Sequence, residues 1–290
     1  MALDSQRIPP ASAEELPVGA KSPDLVQAER VVWRLSLIEF PWDINKALEF
    51  ALLRTYAVPA ISSLLARTGE FTARTEKRYD DTALLIREVI VTGLDAEGSL
   101  RAFARINDMH GRFRIADEDF LYVLSTFVFS PIEWLDAYGR RALSADERRD
   151  WFVYWREFGR RMGITDIPES LQALHAFVVD YERRRYAPSP ANLAIAHATI
   201  DLVLSHYWIP RVLRPIGRRL VAALCAPQLV EALGIAKPSG AIGALAVGGL
   251  KLRRAILRLL PPRSTVKTIH FGLRTYPEGF NIEELGTFRR

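Results

Sequence analysis

Apolar residues recur at helical spacing along most of this 290-residue chain. In the stretch from Trp42 to Ala66, Leu48, Leu52 and Ile61 follow this spacing, and Pro59 predicts a kink or break. Glycine and proline separate the helical segments, and we find neither an internal repeat nor an alternation of strands with helices. The pattern predicts an all-α fold that consists of a single globular multi-helix domain.

Several short motifs predict where helices begin and end. Ser144-Ala-Asp-Glu147 has the form of a capping box, and Ser189-Pro190 occupies the positions that serine and proline prefer at a helix start. Pro168 and the pair Asp80-Asp81 predict two further starts. Gly111 is expected to end a helix as a left-handed residue.

The ends of the chain differ in composition from its middle. Residues 1–28 are rich in Pro, Ala, Ser and Glu and predict a loosely ordered lead-in, followed by one helical domain over 29–290. The alternating pattern of Ser264–Tyr276 predicts a short extended C-terminal tail that packs on the helical body. We find no signal peptide and no apolar run of about 18 residues, and the single cysteine, Cys225, allows no intramolecular disulfide. We therefore expect a cytoplasmic protein that is soluble or peripheral to a membrane.

The net charge of +5 is carried largely by arginine pairs that punctuate amphipathic helices. Such pairs are typical of a solvated face, so we do not expect nucleic-acid binding. The basic amphipathic stretch Leu250–Leu260 could contact a membrane surface. The interpretation that the sequence favours is that its apolar residues Leu250, Leu252, Ile256 and Leu260 pack onto the protein body.

His110 lies on an apolar helix face. At about 100° per residue, Phe103, Ile106 and His110 fall within about 60° of one another, and Asn107 lies at the edge of this stripe. A histidine in this position could be an iron ligand, an acid or base, or a buried side chain with a good partner. The pattern alone favours the third interpretation.

The chain lacks the common enzyme motifs. It has no phosphate-binding loop, dinucleotide fingerprint, nucleophile elbow or His-Glu-x-x-His sequence. His197 and His206 fall about 180° apart on one predicted helix and cannot bind one metal. The large apolar residues after His110 could line a helical haem pocket or form an ordinary core. They are Phe113, Phe120, Leu121, Leu124, Phe127 and Phe129, with the hydroxyl groups of Ser125 and Thr126 among them.

Six separated motifs between about Phe50 and Leu285 resemble the MpaB/latex-clearing-protein (rubber oxygenase) family of haem oxygenases. The motifs are Leu53-Arg-Thr-Tyr-Ala-Val-Pro59, Lys77-Arg-Tyr-Asp-Asp-Thr82, Met109-His-Gly-Arg-Phe113, Phe120-Leu-Tyr-Val-Leu-Ser-Thr-Phe-Val-Phe129, Trp155-Arg-Glu-Phe-Gly-Arg-Arg-Met-Gly163 and Arg274-Thr-Tyr-Pro-Glu-Gly279. The resemblance implies an all-helical fold around b-type haem and O2-dependent chemistry, exemplified by cleavage of carbon–carbon double bonds in isoprenoid chains.

The resemblance also implies roles for individual residues. Our alignment places Leu124 where the latex-clearing branch has its iron-binding histidine, and Asn107 where that branch has an arginine. His110 is then expected to bind iron and, with Asn107 and Thr126, to form the catalytic group. The expected haem contacts are His110, Arg78, Thr82, Arg112, Phe113, Tyr122, Leu124 and Phe127. A salt bridge, either on the surface or between helices, is the alternative for Arg78 and Arg112.

Two functions are consistent with the sequence. The first is a haem-dependent oxygenase that uses O2 on a hydrophobic, prenyl- or terpenoid-like substrate. The second, which the leucine at position 124 motivates, is a catalytically silent helical protein that binds a lipid or isoprenoid without haem. The oligomeric state is left open.

Overall fold

The computed structural model describes residues 21–266 and 275–286, and within these ranges the chain forms helices and no β-strand. The α-helices are α1 Pro23–Arg34, α2 Pro41–Tyr56, α3 Pro59–Thr68, α4 Glu70–Ala73, α5 Thr75–Thr92, α6 Glu97–His110, α7 Asp117–Tyr138, α8 Ala145–Arg161, α9 Leu171–Arg185, α10 Pro190–His206, α11 Arg214–Ala222, α12 Pro227–Leu233 and α13 Gly240–Leu259. A π-helical segment, Leu35–Glu39, links α1 to α2. The predicted all-α class is confirmed.

Local capping chemistry explains several of the observed helix ends. The capping box at the start of α8 is present, because the Ser144 hydroxyl accepts from the Glu147 amide and the Glu147 carboxylate accepts from the Ser144 amide. Ser189 caps α10, with Pro190 as its first residue. The predicted break at Pro59 is also confirmed, since α2 and α3 meet there at an angle of 100°. These signals are local, so they could be found without knowledge of the tertiary structure.

Other predicted boundaries are wrong in whole or in part. Asp80 and Asp81 do not start a helix: both are buried in the middle of α5, where they accept hydrogen bonds from the C-terminal residues Thr275 and Tyr276. Ser170, rather than Pro168, caps α9. The helix end predicted at Gly111 is confirmed, because α6 ends at His110, but the φ of Gly111 is −61° and therefore not left-handed.

The two predicted terminal segments have different outcomes. Helix α1 begins at Pro23, so the lead-in boundary drawn at residue 28 falls inside a helix. Most of the predicted extended tail lies outside the described residues, which resume at Thr275.

The core consists of two clusters of buried apolar side chains. The larger cluster joins α1 to α5, α6, α7, α8 and α9. The smaller cluster joins the C-terminal end of α2 to α10 and α12, with Tyr56, Phe71 and Ile195 among its members. The main cavity of the protein is lined by members of both clusters, for example Tyr56 and Phe158.

Helix α13 contributes no buried residue, and its residues are either exposed or partly exposed. Leu252, Ile256 and Leu260 are exposed, so the expected packing of these three side chains onto the body is wrong, whereas Leu250 is partly buried. In the described ranges, no single helix has the length and apolar composition to cross a membrane, and α2 and α3 satisfy that test only as a bent pair.

Candidate functional site

A cavity of about 960 Å³ lies between the two apolar clusters. Its walls come from the C-terminal end of α2, from α3 and α5, from the end of α6, from the first half of α7 and from α8. Most of the side chains that face it are aliphatic or aromatic. A cavity of this volume and lining is typical of a site for a large apolar ligand or cofactor.

His110 lies in the wall of this cavity, at the last residue of α6. Its ring packs edge-on against Phe120, with the ring centroids 5.2 Å apart. The Nδ1 atom is buried and has no hydrogen-bond partner among the described residues. Burial, with a smaller contribution from the Arg78 guanidinium, lowers the pKa of His110 to about 4. The imidazole is therefore neutral at pH 7, and packing rather than hydrogen bonding holds it in place.

Arg78 on α5 brings a buried cation to the same cavity. Its Nη1 donates to the Thr82 hydroxyl one helical turn later, and its guanidinium lies 5.6 Å from the centroid of the Phe71 ring. In the described part of the chain, no carboxylate forms an ion pair with it. A buried arginine without an acidic partner is costly, so an anionic ligand group beside Arg78 would be strongly favoured.

More arginines surround the opening of the cavity. Arg112 lines it and pairs with the exposed Asp108 carboxylate at 2.5 Å, which is a surface salt bridge of the kind expected as the alternative for this residue. Arg67 and Arg114 also line the cavity and are exposed. The opening is therefore positively charged, whereas the interior is apolar.

The structure brings seven of the predicted site residues together at the cavity: His110, Arg78, Thr82, Arg112, Phe113, Leu124 and Phe127. It places the other three outside. Asn107 donates from Nδ2 to the Arg161 carbonyl at 2.9 Å, and the Thr126 hydroxyl donates to the Val123 carbonyl at 2.7 Å. Tyr122 points toward α9, where its hydroxyl donates to Glu182 at 2.9 Å. The predicted placement of these three side chains in the pocket is wrong because they lie on other faces of α6 and α7.

Sequence reasoning missed other residues of the cavity. Met109, Tyr56, Asp119 and Trp155 all line it. Burial raises the pKa of Tyr56 to about 12. Met109 and Trp155 lie in the family motifs and could have been selected for that reason, whereas no local signal pointed to Asp119.

The C-terminal segment closes one side of the cavity at Gly286. A Cβ atom at this residue would lie 1.9 Å from the Met109 sulfur, and its φ of +91° favours glycine. The Leu285 carbonyl accepts a hydrogen bond from Arg105 Nε at 2.6 Å. Residues about 180 positions apart in the chain thus form this wall together.

A second apolar cavity of about 110 Å³ adjoins the first. The two cavities share four wall residues, Leu52, Thr82, Ile86 and Phe127. From this partition the smaller cavity extends along α2 toward Pro41. The partition is made of side chains, so changes in those side chains can alter the length of the combined cavity.

The donor groups restrict the kind of metal centre that the site can hold. Among the described residues, no group of three or more His, Cys, Asp or Glu side chains could hold a metal ion. A metal bound only by protein side chains, as in most zinc and non-haem iron sites, therefore does not fit. A cofactor that brings most of its own ligands, and needs one neutral imidazole and cationic contacts for its acidic groups, does fit.

Comparisons with known proteins identify the family of this chain. Residues 48–256 match the family described as "ER-bound oxygenase mpaB/B'/Rubber oxygenase, catalytic domain". The chain is 31% identical over 248 residues to the ER-bound oxygenase mpaB' of Penicillium brevicompactum. The aligned region covers 79% of this chain and 58% of that relative. It is also 31% identical over 214 residues to the ER-bound oxygenase mpaB of Penicillium roqueforti (strain FM164). This aligned region covers 68% of this chain and 71% of that relative. The chain thus spans less than two thirds of the length of mpaB', but the match includes most of the cavity, and the protein belongs to the mpaB/rubber oxygenase catalytic-domain family.

Proposed function

We propose that this protein is a haem-dependent oxygenase that uses O2 to oxidise a hydrophobic, prenyl- or terpenoid-like substrate, with cleavage of a carbon–carbon double bond as the reaction. The observation that carries the proposal is the position of His110, a neutral imidazole in the wall of a large apolar cavity. The family and the relatives, which are named as oxygenases, support the reaction class.

The residues at the cavity fit a b-type haem. His110 would be its protein ligand, because it is the histidine that lines this cavity and its lowered pKa leaves the ring unprotonated at pH 7. Arg78 would pair with a propionate, since its buried charge has no acidic partner among the described residues. Phe113, Leu124 and Phe127 would supply apolar contacts to the macrocycle or the substrate.

Bound haem would supply the one-electron and O2 chemistry that amino-acid side chains lack. The protein's own contribution is binding, orientation and the exclusion of water. Phe120 restricts the rotation of the His110 ring, and the aliphatic wall favours an alkene chain over a hydrated substrate. The arginines at the opening, Arg112 and Arg114, favour a substrate with an acidic end.

Absorption spectroscopy of the purified full chain with supplied haem tests the proposal. We expect a Soret band that shifts or is lost in His110→Ala and is unchanged in His175→Ala, which removes an exposed histidine on α9. An identical spectrum and haem affinity in wild type and His110→Ala would exclude His110 as the ligand. Oxygen consumption with polyprenyl substrates then tests turnover separately.

A haem-free isoprenoid- or lipid-binding protein is the second candidate. It is favoured by His110 Nδ1, which lacks a partner among the described residues, because metal-ligating histidines almost always donate their other N–H to an acceptor. Tight binding of a prenyl alcohol by a protein that takes up no haem would support this candidate and overturn the first.

We also propose that the protein works in the cytoplasm and contacts a membrane peripherally. The relatives are named as ER-bound proteins, which supports the membrane contact. A chain with one cysteine needs no oxidising compartment, which supports the location. Fractionation of cells that produce the protein tests both statements: we expect it in the cytosolic and membrane fractions, with release from the membrane by high salt.

A further inference from the structure

The apolar side of α13 faces away from the protein. Leu245, Leu252, Ile256 and Leu259 have exposed fractions of 67%, 62%, 50% and 87%. At about 100° per residue these four side chains fall within about 60° of one another, so they form one stripe along the helix. A helix that packs on a globular protein normally turns such a stripe toward the core.

The basic side of the same helix faces the protein body and fixes this orientation. Arg253 forms an ion pair with Asp43 at 2.8 Å and lies 3.9 Å from the centroid of the Trp42 ring. Arg254 donates to the Asp136 carbonyl at 2.7 Å, and Arg258 donates to the Arg140 carbonyl at 3.1 Å. Rotating α13 to bury its leucines would break all of these contacts.

A second exposed apolar segment lies beside this stripe. Trp208 and Val212 have exposed fractions of 83% and 81%, and Ile216 on α11 is also exposed. Helix α11 packs against both α13 and the turn that contains Val212. We call the stripe of α13 and this segment together the apolar platform. Exposed apolar side chains grouped on neighbouring elements are of the kind that marks an interaction site.

The charge around the platform identifies its partner. Between Asp201 and Val266 the chain has ten Lys or Arg residues and two acidic residues, Asp201, which pairs with Arg218, and Glu231, whereas the rest of the chain carries more acidic than basic residues. Among the basic residues, Arg211, Arg219, Lys251 and Arg263 are exposed. Two copies of the platform facing each other would bring like charges together. An anionic lipid surface instead offers headgroups to the cations and acyl chains to the leucines.

We propose that the apolar platform docks on the surface of an anionic lipid bilayer, with the leucine stripe of α13 inserted at the boundary between headgroups and acyl chains. The inference names the surface for the peripheral membrane contact proposed above and does not depend on haem. Helix α13 then lies in the plane of the membrane, held to the protein by its arginines.

Vesicle flotation of the full chain tests this docking. We expect at least tenfold more binding to phosphatidylcholine vesicles with about 30% phosphatidylserine than to pure phosphatidylcholine vesicles, and a loss of binding as salt is raised. The double variant Leu252→Gln/Leu259→Gln should bind at least tenfold more weakly than wild type. Val179→Gln, which changes an exposed apolar residue on α9, serves as the matched control and should bind like wild type.

Several results would overturn the docking proposal. They are the absence of wild-type binding to anionic vesicles, equal binding by the double variant, and a dimer in size-exclusion chromatography that the double variant dissociates without any vesicle binding. Unfolding curves of the variants control for stability, and both substitutions are at exposed positions. Haem uptake is measured on the same samples. A wild-type protein that takes up haem but does not bind vesicles would contradict only the docking proposal. A wild-type protein that binds vesicles but takes up no haem would contradict only the proposed oxygenase.

Discussion

Protonation of His110 is expected to destabilise the folded protein at acidic pH. Burial and the neighbouring Arg78 lower the pKa of His110 from 6.5 to about 4 in the folded state. Between these values the unfolded chain binds a proton that the folded chain does not bind, so the free energy of unfolding falls as the pH falls from 6.5 to 4. The other charged groups that line the cavity are Arg112, Arg114, Arg67 and Asp119, and the excess of cations among them also disfavours a charged imidazole.

The size of the effect follows from the two pKa values of His110. One pKa unit corresponds to about 1.4 kcal/mol, so the contribution of His110 approaches about 3 kcal/mol at pH 4. At pH 5.5 we expect about 1 kcal/mol, and at pH 4.5 about 2 to 3 kcal/mol. These values are a large fraction of the stability of a typical domain, about 5–15 kcal/mol.

Urea unfolding of the haem-free protein, followed by tryptophan fluorescence between pH 7.5 and 4.5, measures this contribution. His110→Leu keeps an apolar wall and removes the titrating group. Carboxylates also titrate in both proteins. For example, Arg141, the Ser144 amide and Arg34 lower the pKa of Glu147 to about 2 against the effect of burial. Because these carboxylates are the same in both proteins, the difference in unfolding free energy between wild type and variant isolates the histidine. The variant should gain stability relative to wild type as the pH falls, with most of the gain between pH 6 and 4.5.

A stability difference between the two proteins that stays constant from pH 7.5 to 4.5 would refute this reasoning. It would mean that His110 takes up a proton in the folded state at its ordinary pKa, either through contact with water or through an acidic group that approaches the ring. His197 on α10 supplies a comparison, because burial and Arg218 also lower its pKa. His197→Leu should change the pH dependence in the same direction.

Three further predictions follow from the cavity and the helix junctions. Arg78→Met should weaken the binding of a long-chain fatty acid by about tenfold and leave the binding of the matching alcohol unchanged, because a charge-assisted hydrogen bond contributes about 1.5–3 kcal/mol. Arg114→Met at the exposed opening is the control. Calorimetry in which the two variants weaken fatty-acid binding equally would contradict the role of Arg78. Phe127→Leu lowers the partition between the two cavities. The variant should therefore bind a fatty acid with two additional carbon atoms about tenfold more tightly than wild type does, at about 0.8 kcal/mol per buried methylene. An unchanged dependence of affinity on chain length in a displacement assay would show that the partition does not limit ligand length. Asn192→Ala removes the amide that donates to three main-chain carbonyls, and should lower the free energy of unfolding by about 3 kcal/mol or more. Ser189→Ala, which removes a helix cap, should lower it by about 1 kcal/mol. Urea unfolding that gives similar losses of unfolding free energy for the two variants would contradict this ranking.

The sequence allowed us to predict features that depend on neighbouring residues in the chain. The capping box at Ser144, the cap at Ser189 and the break at Pro59 all arise from contacts within a few residues. Asp80 and Asp81 show the limit of such reasoning. An acidic pair commonly starts a helix, but here its carboxylates are buried mid-helix by side chains about 195 residues later in the chain.

The partly correct site prediction has a physical reason in α7. This helix is apolar on nearly all sides, so its sequence does not indicate which side faces the cavity. The cavity side consists of Phe120, Val123, Leu124 and Phe127, which recur at intervals of three and four residues. Tyr122 lies on another side, where its ring stacks on Tyr181 of α9 with the centroids 4.3 Å apart. Family motifs selected the helix, but only the positions of α8 and α9 could determine its rotation.

Helix rotation also decided the outcome in α13, where the apolar side faces away from the protein body instead of toward it. Its periodicity identifies an apolar stripe and a basic side, and burial of the stripe is the usual result because it removes apolar area from water. Here Asp43, together with the main-chain carbonyls at the C-terminal end of α7, attracts the basic side instead. These arginine contacts hold the exposed leucines away from the protein body. The docking proposed above would give α13 two partners, because the protein binds its arginines and a lipid surface would accept its leucines.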